Sequence, residues 1–339
     1  MTAQTASPRP STVSLLPNRT ATSRHAVLGL DLTALGVATD LARYSDDLPV
    51  EKADLARIAS YTRAAHGNGV SFVTLGETFR LRSDRAVRRD DWLDPVTAAR
   101  RIAPHGTAGI IPGVRAGADL DLVDSELAQA SRAQGAWAGL HLSADDAAAL
   151  TAARRPARRG PRPSVVVTVA GEDDVEIAGR CADLVRIRER DPEWARELRY
   201  AVRAAARAAG REGAVQVLAD VHTVVSTDRQ TAAERAALVA DIAGDEVIWD
   251  GALTAYGTVE DVADVIEGWL GAGAADGFVV LPGSLPADLA ALVRGVVPEL
   301  RARGVLPELP AAPQPVPGRR TVDPATAPAA ARRRAVAVA

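Results

Sequence analysis

Residues 164–187 read Ser-Val-Val-Val-Thr-Val-Ala-Gly-Glu-Asp-Asp-Val-Glu-Ile-Ala-Gly-Arg-Cys-Ala-Asp-Leu-Val-Arg-Ile. The stretch Ser164 to Ala170 is apolar on consecutive positions, which suits a strand buried on both faces. Gly171 and three carboxylates then open a helix, where acidic side chains complement the dipole. Asp183 to Ile187 is short enough for a second strand. Strand, helix and strand in such close succession point to a parallel sheet with helices packed outside it.

The same alternation extends in both directions. Strand-length runs occur at Ala26 to Asp31, Val70 to Leu75, Thr107 to Pro112 and Ala136 to Leu142 before this stretch, and at Val215 to Val221 and Gly277 to Leu281 after it. Between them lie helical patterns with start and stop signals. Leu55, Ile58, Ala59 and Thr62 recur at helical spacing ahead of His66-Gly67-Asn68-Gly69. Asp191-Pro192 supplies an N-cap with proline at the first helical position, and Gly210 ends that helix. Thr258 caps another with Asp261 three residues on. The stripe Leu289, Leu292, Val293, Val296 and Leu300 marks a last helix that Pro298 is expected to kink or break. Eight strands alternating with helices predict a single α/β domain, a (β/α)8 barrel of TIM type. The rival, a doubly wound open sheet, usually carries a glycine-rich turn after its first strand, and AVLGLDLTALGV has none. An Arg- and Pro-rich segment from about Ala147 to Pro163 reads as a surface excursion before the fifth strand.

Of 339 residues, 47% are hydrophobic and 24% charged, with 40 basic against 43 acidic. The resulting net charge of −3 averages unlike parts. Residues 1–24 carry three arginines and no acid, and residues 310–339 carry five arginines against Asp323, so the body from 25 to 309 holds −10. Both tails are rich in Pro, Ala, Ser and Thr without periodicity and are expected to be disordered. A basic tail could touch nucleic acid electrostatically, but an acidic body without an aromatic-basic stripe argues against a dedicated nucleic-acid binder. Lys52 is the only lysine, so arginine stands in for lysine throughout and an Arg cluster says little about phosphate binding. Cys181 is the single cysteine, which excludes a disulfide framework. With neither a secretory signal pattern nor an apolar span of membrane length, the expected location is the cytoplasm. Five scattered histidines show no metal-ligand spacing, and no metal is expected.

The most specific blocks lie toward the C-terminus: Gly257-Thr258-Val259-Glu260-Asp261-Val262-Ala263, Ala272-Gly273-Ala274-Ala275-Asp276-Gly277-Phe278, Leu285-Pro286, and Val297-Pro298-Glu299-Leu300-Arg301-Ala302-Arg303-Gly304. In order and spacing they resemble the bacterial luciferase-like flavin-dependent monooxygenases, in particular the subgroup that includes nitrilotriacetate and dibenzothiophene-sulfone monooxygenases. Phe72 to Leu75, Pro95 to Pro104, and Val165 to Gly171 with Ala178 to Asp183 fit the same pattern. The resemblance spans roughly residues 25 to 309. It implies the same barrel, a flavin site at its C-terminal mouth, a separate reductase supplying reduced FMN, a small organic substrate, and a homo-oligomer. A deazaflavin coenzyme with hydride transfer is the alternative cofactor, and a barrel that has lost catalysis is the alternative function.

Functional groups in such a barrel sit at strand C-termini. His141 and His222 are the candidate catalytic residues, each placed to hydrogen-bond a flavin carbonyl or move a proton, or else to be a satisfied rim histidine. Candidate cofactor-binding residues are Asp31, Glu77, Ser143, Gly171 and Glu172. Asp31 either contacts ligand or caps its own turn, and Glu77 matches an acidic position of the family near the flavin edge. The loop after the fifth strand departs from the resemblance. Where the family presents small hydroxyl residues to the FMN phosphate, this chain has Gly171-Glu172-Asp173-Asp174. Three carboxylates would repel a phosphate dianion by roughly a kcal/mol or more each, yet they are natural charges for a helix N-terminus. The loop Gly113 to Asp119 is also shorter than its family counterpart.

Overall fold

The computed structural model describes residues 25–35, 55–81, 93–102, 109–123, 139–153, 164–211, 213–244 and 249–309. The chain divides into a compact unit, Met1–Pro307, and a C-terminal segment, Glu308–Ala339, of which only 308 and 309 are described. Both expected disordered tails lie outside the described residues.

In chain order the elements are β1 (Val27–Asp31), a 3-10 turn (Thr33–Leu35), α1 (Leu55–Gly67), β2 (Phe72–Leu75), α2 (Pro95–Ile102), β3 (Ile110–Pro112), β4 (Gly139–Leu142), α3 (Ala144–Ala153), β5 (Ser164–Val169), α4 (Glu172–Cys181), β6 (Leu184–Ile187), α5 (Pro192–Ala208), β7 (Gln216–Val225), α6 (Arg229–Ala243), β8 (Leu253–Gly257), α7 (Val259–Gly271), β9 (Gly277–Pro282), α8 (Ala287–Ala291), a π-helical stretch (Leu292–Val296) and α9 (Val297–Ala302). All strand pairs are parallel, in the order β3-β2-β1-β9-β7-β6-β5-β4. A single parallel bridge, Gly113 with His141, brings β3 to β4 and nearly closes the ring. This is the (β/α)8 barrel that the eight runs predict.

A ninth strand, β8, has no counterpart among those runs. It pairs only β7, from Val221↔Leu253 to Val225↔Gly257. β6 holds the same edge of β7 lower down, from Leu184↔Gln216 to Ile187↔Ala219, while β9 holds the other edge. The ten residues of β7, all buried, therefore overshoot the ring, and β8 hangs on the overhang in line with β6.

The helix signals act as their chemistry dictates. The Asp191 carboxylate accepts from the Glu193 and Trp194 amides ahead of Pro192. Thr258 and Asp261 form a reciprocal capping box. Pro298 falls in the first turn of α9, and the preceding π-helical stretch absorbs the break. The surface excursion is corrected in part: residues 147 to 153 belong to α3, because Asp145 and Asp146 charge its start and Ala147 and Leu150 are buried. The remainder, 154–163, lies outside the described residues.

Two aspartates just ahead of strands fasten the N-terminal rim. Asp183 Oδ2 accepts from the Val165 amide at 2.9 Å, and Asp276 Oδ2 accepts from the Val217 amide at 2.9 Å. Each is held by arginine from outside, Asp183 by Arg211 and Asp276 by Arg199 and Arg203. At the opposite rim the fully buried Asp288 accepts from the Val225 and Ser284 amides and from Arg235, tying β7, α6 and the β9–α8 turn together.

Close approach of β1 to β9 depends on Gly277, whose missing Cβ would fall on the backbone of Val27. Gly277→Ala is expected to lower stability in urea unfolding by about 1–3 kcal/mol through overpacking. Gly268→Ala, in the middle of α7 with open space around it, is expected to raise stability by about 0.5–1 kcal/mol.

Candidate functional site

Alternate residues of each strand face the barrel interior. Toward the N-terminal end these are Val27, Phe72, Ile111, Val166, Leu184, Leu218 and Val279, a closed apolar cluster. Two residues further along, or four in β1, inward positions turn polar: Asp31, Thr74, Thr168, Arg186 and Asp220. Arg186 is 2% exposed and grips Asp220 with two nitrogens, Nε to Oδ1 at 2.7 Å and Nη2 to Oδ2 at 2.8 Å. Its Nη2 also donates to Asp31 Oδ2 at 3.0 Å. Asp31 accepts in addition from the Thr74 hydroxyl and the Thr33 amide, and Asp220 from Arg188. One buried guanidinium thus stands between two buried carboxylates, and the partly exposed Arg188 adds a second charge from the mouth side of Asp220. Burial alone would raise the Asp31 carboxyl, but the Arg186 charge and the Thr33 and Thr74 hydrogen bonds outweigh it and hold the group below its ordinary value. Arg186 is locked in its charged form against the burial penalty by the same two aspartates.

Beside this ion cluster, at the C-terminal ends of β2 to β5, opens a cavity of about 240 Å³ lined by Glu77, Gly113, Val114, His141, Leu142, Ser143 and Thr168. That is smaller than the roughly 300–1,000 Å³ enclosing a whole drug-sized ligand, so it suits one ring or the reacting end of a larger molecule. His141 Nε2 meets Thr168 Oγ1 at 2.8 Å. Burial, and then the positive charge of Arg186, push the His141 pKa down to about 3, so the ring is neutral at physiological pH. A neutral imidazole, two hydroxyls and one carboxylate around apolar walls can hold the polar edge of a planar heterocycle and exclude water.

Three of the seven sequence candidates therefore meet on one cavity: Glu77, His141 and Ser143. The other four sit elsewhere. Asp31 caps its own turn and pairs Arg186, with both oxygens engaged inside the protein. Gly171 and Glu172 form the start of α4, where Asp174 Oδ2 accepts from the Ala170 amide at 2.9 Å and the Gly171 amide at 3.2 Å. His222 is fully buried, stacked on Trp249 at 4.1 Å, with Tyr256 edge-on. Its Nδ1 donates to the Leu281 carbonyl at 3.0 Å, which leaves the lone pair on Nε2, and Nε2 has no hydrogen-bond partner. Burial lowers the His222 pKa, with the Leu281 bond and Asp288 opposing. Arg186, Thr74, Thr168 and Asp220 were not singled out by sequence, although each shares the inward parity of its strand.

Removing the cation from the barrel strands two buried carboxylates. Arg186→Met is expected to cost about 3–5 kcal/mol in chemical unfolding, and Asp31→Asn with Asp220→Asn in the same chain to recover most of it. The histidine gives a pH test. Between about 3 and the ordinary 6.5 the unfolded chain binds a proton at position 141 that the folded chain refuses. This contribution is fully present above pH 6.5 and is lost as pH falls toward 3. His141→Gln should flatten the decline of the urea midpoint with falling pH relative to the natural protein.

No family model matches the sequence, and no curated protein does. Solved structures do match by shape. The EDTA monooxygenase EmoA from Chelativorans sp. BNC1 superposes with a TM-score of 0.62 at 19% identity, covering 84% of this chain and 95% of that one. Riboflavin lyase RcaE, solved with modified FMN and riboflavin, gives 0.63 at 16% identity over 84% and 93%. The coenzyme F420-dependent tetrahydromethanopterin reductase of Methanopyrus kandleri gives 0.55 at 15% identity over 81% and 99%. Their descriptions name FMN in one case and coenzyme F420 in another, and they leave the expected subgroup open. In fold, the chain is a luciferase-like (β/α)8 barrel.

Proposed function

We propose that the chain is a flavin-dependent oxidoreductase, a two-component monooxygenase that works in the cytoplasm on a small organic substrate with reduced flavin supplied by a separate reductase. The observation that carries this reading is the cavity at the mouth of a luciferase-like barrel, where neutral His141 is held against Thr168 beside Ser143 and Glu77. Bound reduced flavin supplies the electrons for oxygen chemistry. His141, Thr168 and Ser143 would hold the polar edge of its ring, and Val114 and Leu142 supply apolar walls. With the imidazole kept uncharged, His141 offers one donor and one acceptor across the whole physiological range.

Fit to the cofactor is uneven along its length. The ring end suits the neutral, hydroxyl-lined cavity. At the start of α4 the two amides nearest Thr168 are already taken by Asp174. Among the described residues no helix is long and apolar enough to cross a membrane, which is compatible with the proposed location.

Fluorescence titration of the full-length protein with lumiflavin, riboflavin and FMN, oxidised and dithionite-reduced, tests the reading. His141→Gln and Thr168→Val are each expected to weaken ring binding about tenfold, the size of one lost hydrogen bond to a buried partner, with an unchanged circular dichroism spectrum. If none of the three flavins binds in either redox state at hundreds of micromolar, the barrel has kept the fold without the chemistry.

A further inference from the structure

Building on the flavin reading, we propose that the cavity selects an isoalloxazine whose tail carries no phosphate, so that riboflavin binds more tightly than FMN. Two helix starts flank the cavity. Ser143, which lines it, precedes α3, and Thr168, which also lines it, lies two residues before Ala170 at the start of α4. A helix start with free amides is a ready site for an anion. Here the α4 start already holds one, and at the α3 start the Asp146 amide is taken by the Ser143 hydroxyl. Asp174 Oδ2 accepts from the Ala170 and Gly171 amides. Asp146 Oδ2 accepts from the Ser143 hydroxyl at 2.8 Å and the Gly117 amide at 3.3 Å, while the Asp146 amide donates to Ser143 Oγ.

The first turns of both helices add only negative charge, Asp145 and Asp146 on α3 and Glu172, Asp173 and Asp174 on α4. A phosphate group reaching the Ala170 and Gly171 amides would have to displace the Asp174 carboxylate, and at either start it would stand beside the carboxylates of the first turn. Nearby positive charge is sparse among the described residues. Arg186 is buried in the ion cluster and Arg188 is bound to Asp220. Arg115, exposed on the loop after β3, and Arg80, bonded to the Glu77 and Phe79 carbonyls, are the groups that would favour a phosphate. A ring with a neutral ribityl tail meets none of this repulsion.

Riboflavin and FMN share one ring and differ by the phosphate, so paired fluorescence-quenching titrations of the full-length protein isolate the effect. Riboflavin is expected to bind about tenfold or more tightly than FMN at low salt, with the gap narrowing as ionic strength rises. Glu172→Gln with Asp173→Asn, both exposed and outside the Asp174 cap, should raise FMN affinity and leave riboflavin affinity where it was. FMN binding as tightly as riboflavin or tighter in the natural protein overturns this inference and leaves the flavin reading standing, with Arg115→Ala then showing whether that guanidinium holds the phosphate. Failure of both flavins to bind, in either redox state, removes the flavin reading and this inference together.

Discussion

A guanidinium closed between two carboxylates, with water excluded, holds the centre of this barrel. A parallel ring of eight strands has an interior that side chains must fill, and here the filling changes character half-way along. The apolar layer from Val27 to Val279 needs no partners, whereas Arg186, Asp31 and Asp220 are tolerable only together. The cluster bonds β6 to β7 and reaches across the interior to β1 and, through Thr74, to β2. Burial first, and then the charge of Arg186, keeps the His141 imidazole neutral. The ion cluster and the cavity at the ends of β2 to β5 thus lie side by side.

How far this was readable from sequence depended on the range of each signal. Asp191-Pro192 and Thr258 with Asp261 are complete within four residues, and both behave as local chemistry predicts. The barrel strands announced themselves by unbroken apolar runs. β8 did not: in Leu253–Gly257 Thr254 is exposed and Tyr256 half-buried, so the segment alternates and is short. Arg186 was hidden for a different reason. Its partners lie 34 and 155 residues away, and in a chain with one lysine among 40 basic residues a further arginine carries little information. Inward parity was the available clue, since Arg186 follows Leu184 by two positions as Asp31 follows Gly29 and Asp220 follows Leu218.

The net charge of the body takes on a structural meaning. Asp183 and Asp276 satisfy strand amides at one rim, and Asp174, Asp191, Asp228, Asp261 and Asp288 accept from amides at or near helix starts. Acidity that looks like a ligand signature when summed is distributed one carboxylate at a time over backbone donors. Where such a donor borders the cavity, the same economy of capping alters what the cavity can receive.

The overhang of β7 has a separate consequence. Because β8 attaches beyond the ring and not within it, the described segment 249–252 that leads into it lies outside the pairing of the ring itself. It delivers Trp249 onto His222, and the carbonyls of Asp250 and Ala252 onto Arg188 and Arg190. For protein engineering, a loop exchanged ahead of Leu253 would meet the ring through a single strand, β7, and would have to replace the cover that Trp249 gives His222.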